Sequence, residues 1–238
     1  MSTTTAARPV DAEPILEDDD EPIKFGETVA LHDVDWEGYE TLLKLVGDRH
    51  VRVTYLEGCV ELMSPSYRHE KPVERFGMFV VALTKILEIP CESVGSLTFK
   101  RRKMNKGFEG DKSYYIANID RIRGKTEIDP AVDPPPDLVV EVEVSSRLRD
   151  KLSLYAAVGV PELWRFDGRT FQILRLEPDG TYSKTETSVA FPFLRAEEIR
   201  EWVARESPFE ISAWLAELEH WLETVIVPRV DRERNAGT

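Results

Sequence analysis

The sequence predicts one α/β domain behind a polar N-terminal segment, and three patterns carry that expectation. Apolar residues recur at helical spacing in several separate stretches. Two other stretches alternate around a Gly-containing pair, the signature of β-hairpins. Between these lies DLVVEVEV, a strongly β-branched run that suits a central strand. The chain of 238 residues holds 31 Lys plus Arg against 44 Asp plus Glu, a formal net charge of −13, and 42% of it is hydrophobic. That supplies a core. It also argues against a protein that coats nucleic acid through bulk charge, so any such contact has to use a local patch. No apolar run approaches the ~18 residues that cross a bilayer, and a membrane protein is not expected. The start shows neither the basic nor the apolar region of a secretory signal, and Cys59 and Cys91 are the only cysteines; both fit a cytoplasmic location.

In chain order, residues 1–24 are rich in Thr, Ala, Pro and acid, with the run Glu17-Asp18-Asp19-Asp20-Glu21, and read as a disordered acidic tail. Residues 25–238 read as the single domain. Trp36, Tyr39, Leu42, Leu43 and Val46 make a helical stripe. Val51, Val53 and Tyr55, then Val60 and Leu62, alternate around Glu57-Gly58 as a hairpin. A helix over 69–89 follows, with Pro72 suited to its first turn and Val73, Phe76, Val80, Leu83 and Leu87 on one face. Residues 96–117 read as another hairpin, and the stretch to Pro136 as loop. After the 137–144 strand, Ser145 or Ser146 can cap a helix whose stripe is Leu148, Leu152 and Tyr155 and whose stop is Gly159. VPELWRF and FQILRL form a hairpin around Asp167-Gly168, and an amphipathic helix over 208–225 carries Trp214, Leu218, Trp221 and Val225.

Strand alternation places Asp137, Val139, Glu141 and Glu143 on one face of DLVVEVEV. Three carboxylates on one face of a central strand repel one another and are costly to desolvate without a cation. A divalent ion held by oxygen ligands is one answer; Lys and Arg partners are the other. Upstream, Asp111 opens a β arm, and downstream Lys151 lies early in the helix that leaves the strand, beside its apolar stripe and able to reach back. Two acids and a lysine suit metal-assisted phosphodiester hydrolysis. His32, His50, His69 and His220 show no metal-ligand spacing, so zinc is disfavoured. Positive charge concentrates at Lys100, Arg101, Arg102, Lys103 and Lys106, and again at Arg147 and Arg149. These are candidate contacts to a nucleic-acid backbone, or lysines guarding a sheet edge.

From MSPSYRHEKP through DPPPDLVVEVEVSSRLRDKLSLYAAVGVPELWRFDG the sequence resembles the Uma-type (Uma-two) endonuclease family of the restriction-endonuclease-like PD-(D/E)XK superfamily. The resemblance covers roughly residues 25–200. It implies a mixed β-sheet flanked by helices, here with an extra N-terminal hairpin and a C-terminal helix. It maps the metal-binding acids onto Asp111 and Glu141 and the catalytic lysine onto Lys151. His69 matches a histidine common in the family, either touching the phosphate or capping its helix; Glu143 and Asp137 are auxiliary candidates. The pattern is broken at Gly110, where Pro is usual, and at Glu143, where the E-x-K lysine would stand.

The expected function is therefore a Mg²⁺- or Mn²⁺-dependent endonuclease acting on DNA, with a homodimer as its expected assembly. Those two departures motivate an alternative, a catalytically silent module that binds nucleic acid or protein. Glycoside hydrolysis by paired carboxylates is a weaker rival, because a lysine and a basic cluster suit phosphate better than sugar.

Overall fold

A computed structural model describes residues 28–236 apart from 48, 97, 102–105, 130–131, 144–150 and 206–209, and leaves aside the side chains of 98–101, 106 and 108. The expected acidic tail, the Ser145/Ser146 cap and Leu148 lie outside the described residues.

β1 (Thr28–Leu31) leads to α1 (Trp36–Val46), which begins where the Asp35 carboxylate accepts the Gly38 N–H at 2.8 Å. β2 (Arg52–Leu56) and β3 (Cys59–Met63) form the expected hairpin. Its turn residues Glu57 and Gly58 have φ of 48° and 92°, the paired positive values whose twist matches the flanking strands. α2 (Tyr67–Ile86) starts two residues earlier than the pattern suggests, so Pro72 falls inside the helix and the Arg68 carbonyl loses its usual donor.

β4 (Glu92–Gly95), β5 (Thr98–Arg101), β6 (Lys106–Glu109) and β7 (Lys112–Tyr115) replace the single hairpin expected over 96–117. β5 and β6 pair with each other, Thr98 opposite Glu109, so the chain already reverses within the basic cluster. β7, with its buried Tyr114 and Tyr115, is freed to enter a different sheet.

A short α3 (Ile119–Ile122) interrupts the expected loop before β8 (Leu138–Val142). α4 (Lys151–Val158) ends at Gly159, whose φ of 86° suits a residue without Cβ. β9 (Glu162–Phe166) and β10 (Phe171–Leu176) turn where Asp167 accepts the Arg169 and Thr170 N–H groups. β11 (Tyr182–Thr185), α5 (Ala196–Ala204), α6 (Ile211–Trp221) and α7 (Val227–Ala236) complete the order.

The first sheet has the order β1-β3-β2-β6-β5 and is antiparallel throughout; the second is mixed, β11-β10-β9-β8-β7-β4. Only β8 and β9 pair in parallel in it, and the chain segment containing α4 makes the crossover. β8 is central and buried along its whole length. Leu138, Val140 and Val142 face the large core around Trp164, Phe76 and Phe79, where α2, α5 and α6 cover the sheet. Val139 faces the smaller core with Leu154, Tyr155 and Leu163. The first sheet packs on α1 through Trp36, Tyr39 and Tyr55; the two tyrosine rings stack at 4.9 Å.

The C-terminal helix runs well past residue 225. A π-helical turn, Leu222–Ile226, joins α6 to α7, and the buried stripe is Trp214, Leu218, Leu222, Ile226 and Val230. A spacing of four drifts by about 40° per step on an α-helix. The wider π turn sets that drift back, which leaves Val225 38% exposed instead of buried.

At Gly110, between the two sheets, an added Cβ would lie 2.8 Å from Val139 Cγ1. Close packing therefore explains a glycine where the family pattern has proline. Gly110→Ala should destabilise the protein by about 1–3 kcal/mol through overpacking. Combining it with Val139→Ala should recover part of that loss, read as a favourable coupling term in denaturant melts.

Candidate active site

Each carboxylate is positioned by its strand. β7 pairs with β8 only as far as Lys112 opposite Val140, so beyond that point the ladder stops. Asp111 takes over there: its Oδ2 accepts the Val142 N–H at 2.6 Å. Its Oδ1 accepts from Arg52 Nη1, on β2 of the other sheet. His69, on the first turn of α2, brings Nε2 to 3.4 Å from Oδ2, a charge contact set off the axis of a hydrogen bond. The other ring nitrogen, Nδ1, lies 3.1 Å from Glu70 Oε1.

Glu141 points to the α4 side of β8. Its Oε1 accepts from Lys151 Nζ at 2.6 Å and its Oε2 from the Tyr155 hydroxyl at 2.6 Å. α4 buries Lys151, Leu154, Tyr155 and Val158, a stripe at i, i+3, i+4 and i+7. Lys151 therefore lies within the inward stripe, not beside it as the sequence pattern suggests. Tyr155, read from the sequence as packing, holds the carboxylate as well.

The structure thus brings together Asp111, Glu141, Lys151 and His69, and adds Arg52 and Tyr155. Arg52 is the one charged residue of its hairpin arm, and Tyr155 stands one helical turn after Lys151; each is a signal that periodicity alone passes over. Asp137 is not part of the group. It lies at the other end of β8 and accepts from Ile116 N, Asn118 N and Asn118 Nδ2 at 2.7, 2.9 and 2.6 Å, which fixes the turn into α3. Glu143 pairs with Arg165 across the strand end, at 2.8 and 2.6 Å, since the 141↔165 register places that guanidinium alongside. The three acids of this strand face are thereby divided among separate partners.

Lys100 and Arg101 lie on β5, at the edge of the first sheet, with side chains outside the described set. Arg102, Lys103, Arg147 and Arg149 lie outside the described residues altogether.

Burial pushes the Glu141 carboxyl above its ordinary pKa; Lys151 opposes this and the Asp111 charge adds to it. Burial acts the same way on Asp111, but His69 and Arg52 outweigh it and hold that carboxyl below its usual range. Burial works against the Lys151 ammonium, yet Glu141 outweighs it and holds its pKa above normal. His69 is likewise raised: desolvation opposes its charged form, and Asp111 overcomes that.

Among the described residues no group of three or more His, Cys, Asp and Glu is arranged to hold a metal ion. A zinc cage is therefore a poor fit here. Two hard carboxylates suit Mg²⁺ or Mn²⁺, ions that keep several waters and take one or two carboxylates plus substrate phosphate. The Asp111 charge raises Glu141, and a dication held by these carboxylates would relieve that repulsion.

Arg52→Ala leaves Asp111 buried without its arginine partner and should cost about 3–5 kcal/mol in metal-free buffer. The sign with pH follows from the depressed Asp111 value. Its stabilisation is complete above the unfolded carboxyl pKa and is lost as pH falls through the lower folded one. In Arg52→Ala the Asp111 pKa rises toward its unfolded value, so urea melts across the acid range should show a smaller loss of stability on acidification than in the wild type.

Residues 36–206 match the family described as Uma2, putative restriction endonuclease. No match is found among the curated proteins. A crystal structure from Anabaena variabilis, of a protein described as a putative nuclease belonging to DUF820, is similar at 16% identity, covering 69% of this chain and 98% of that one with a TM-score of 0.48. No described helix is long and apolar enough to cross a membrane. Because the match at 36–206 takes in well over half of the chain, the chain belongs to the Uma2 family.

Proposed function

We propose that this protein hydrolyses phosphodiester bonds of DNA as a divalent-metal-dependent endonuclease. The observation that carries the proposal is the pair of buried carboxylates, Asp111 just before β7 and Glu141 on the neighbouring β8, each paired with a cation. Family membership supports the reaction class.

Asp111 and Glu141 are the residues that would hold Mg²⁺ or Mn²⁺. The bound ion would supply a water of lowered pKa and charge to offset the phosphate. The chain's own residues do the rest. Lys151 carries three N–H donors and no acceptor, so its part is to donate to a phosphate oxygen or to the attacking water. The E-x-K position, Glu143, is tied to Arg165, and Lys151 reaches Glu141 from α4 in place of a strand lysine. Tyr155 fixes the Glu141 carboxylate from the other side, and Val142 N–H fixes Asp111. Arg52 offsets the Asp111 charge, which lowers the cost of keeping that carboxylate buried.

Nicking of supercoiled plasmid in Mg²⁺ or Mn²⁺ tests the reading. Glu141→Gln and Lys151→Ala should each lower the rate by about 10²–10³-fold. Tyr155→Phe, which removes only a positioning bond, should cost about 10–100-fold. Wild type and Glu141→Gln that nick at the same rate, or are equally inert across metals and substrates, would rule the proposal out.

A further inference from the structure

On the face of α2 away from its apolar stripe lies a cleft of about 280 Å³. Arg68, Lys71 and Arg75 fall at i, i+3 and i+7 on one wall, Tyr67 stands at the mouth, and Gly168 and Arg205 help to close the other side. No Asp or Glu is among the described residues that line it. In a chain of net charge −13, a cleft lined by four cations and, among the described residues, no acid calls for an anion.

Two of the cations are committed. Arg75 donates to the carbonyls of Val203 and Arg205 and lies 5.7 Å from the centroid of the Trp214 ring, while Arg205 pairs with Glu217 at 2.8 Å. Arg68 and Lys71 are exposed, and neither has a hydrogen bond or ion pair from its side chain among the described residues. The acids that share α2 with them are occupied elsewhere: Glu70 lies against His69, and Glu74 against Lys112 at 2.8 Å. Burial lowers the Arg75 pKa, and Tyr67 opposes that.

Tyr67 decides what kind of anion fits. Its side chain is 77% exposed, beside two free cations. An aromatic ring at the mouth of a positive groove is a platform for an unpaired base, and duplex bases are already stacked on one another. His69, on the same turn as Tyr67 and Lys71, faces inward to Asp111, so the helix that forms this wall also reaches the site.

We propose that this cleft binds single-stranded nucleic acid, with Arg68 and Lys71 on successive phosphates and a base stacked on Tyr67, and leads the strand toward the Asp111 side of the site. The destination rests on the nuclease reading; the binding does not.

The test is fluorescence anisotropy of the full chain with a labelled oligothymidylate and with a blunt duplex of equal length, in EDTA so that cleavage plays no part. The wild type should prefer the single strand. Arg68→Ala/Lys71→Ala should weaken its binding at least about tenfold and reduce the slope of log K against log salt by about 1.4, which is 0.7 for each phosphate that is no longer neutralised. Tyr67→Ala should weaken it by about 5- to 150-fold, whereas Tyr67→Phe keeps the ring and should bind as wild type. All three positions are exposed, so thermal melts should coincide with the wild type. A wild type that binds no oligonucleotide, variants that bind unchanged, or a duplex bound as well as the single strand would each overturn the proposal. Plasmid nicking by the same variants separates it from the nuclease reading. Tyr67-dependent binding in a protein that nicks nothing would leave the cleft standing alone, and nicking with unaltered binding in the cleft variants would leave only the nuclease.

Discussion

Asp111 is where the two sheets and α2 meet. It follows β6 of one sheet and precedes β7 of the other, and its two oxygens reach back to both. One takes the Arg52 guanidinium from the first sheet; the other takes the Val142 N–H from the second and lies against His69 of α2. A buried carboxylate with fewer partners would either protonate or destabilise the fold. The same interactions that make its burial tolerable therefore also fix how β2, β8 and α2 sit relative to one another. Structural and chemical demands coincide at this residue, so its substitution disturbs both.

The charges around it come close to balance. Asp111 and Glu141 face Arg52 and Lys151, with His69 as a further proton carrier. Such a group is weak evidence for stability, because desolvation offsets much of the attraction. Its value lies in arrangement: Glu141 is held at both oxygens by residues one helical turn apart on α4, and α4 is the crossover element between parallel strands β8 and β9. A lysine borne by that helix approaches the strand from its exit. This is how a chain with glutamate at position 143 still sets an ammonium beside Glu141, while Glu143 closes the strand end with Arg165.

Much of this is legible in the sequence, and the remainder is hidden for definable reasons. The 52–63 hairpin, the central strand and the α2 stripe follow from period-two and helical spacing, because there burial on one face governs residue choice. β1, β4, β11 and α5 are short or polar, and tertiary pairing rather than pattern makes them regular. The 96–117 stretch reads as one hairpin because a single glycine, packed against Val139, carries the chain from one sheet to another without any change of periodicity. At the site, the acids of DLVVEVEV are visible by alternation, and Glu141, mid-strand between valines, already stands apart from Asp137 at the strand end, though the sequence does not say what each one meets. Only the end of the β7 ladder and the position of α4 separate a carboxylate that meets Lys151 from one that fixes a turn. Lys151 looks peripheral when its helix is phased on Leu148 and Leu152, whereas the buried face is phased on Leu154 and Tyr155.

The overall charge of −13 is a poor guide to what a phosphate meets at this surface. At physiological salt the Debye length is about 8 Å, so exposed charges farther away are largely screened. The potential inside the α2 cleft is then set by the residues that line it, and those described are cationic or neutral. The pattern Arg68-x-x-Lys71-x-x-x-Arg75 is present in the sequence, interleaved with Val73 and Phe76 on the opposite face of the same helix. One helix thus carries core packing on one side, the histidine of the site at its first turn and a positive wall on the other. A strand bound on that wall, as proposed, would answer to the cations that line it rather than to the screened acidic remainder of the surface.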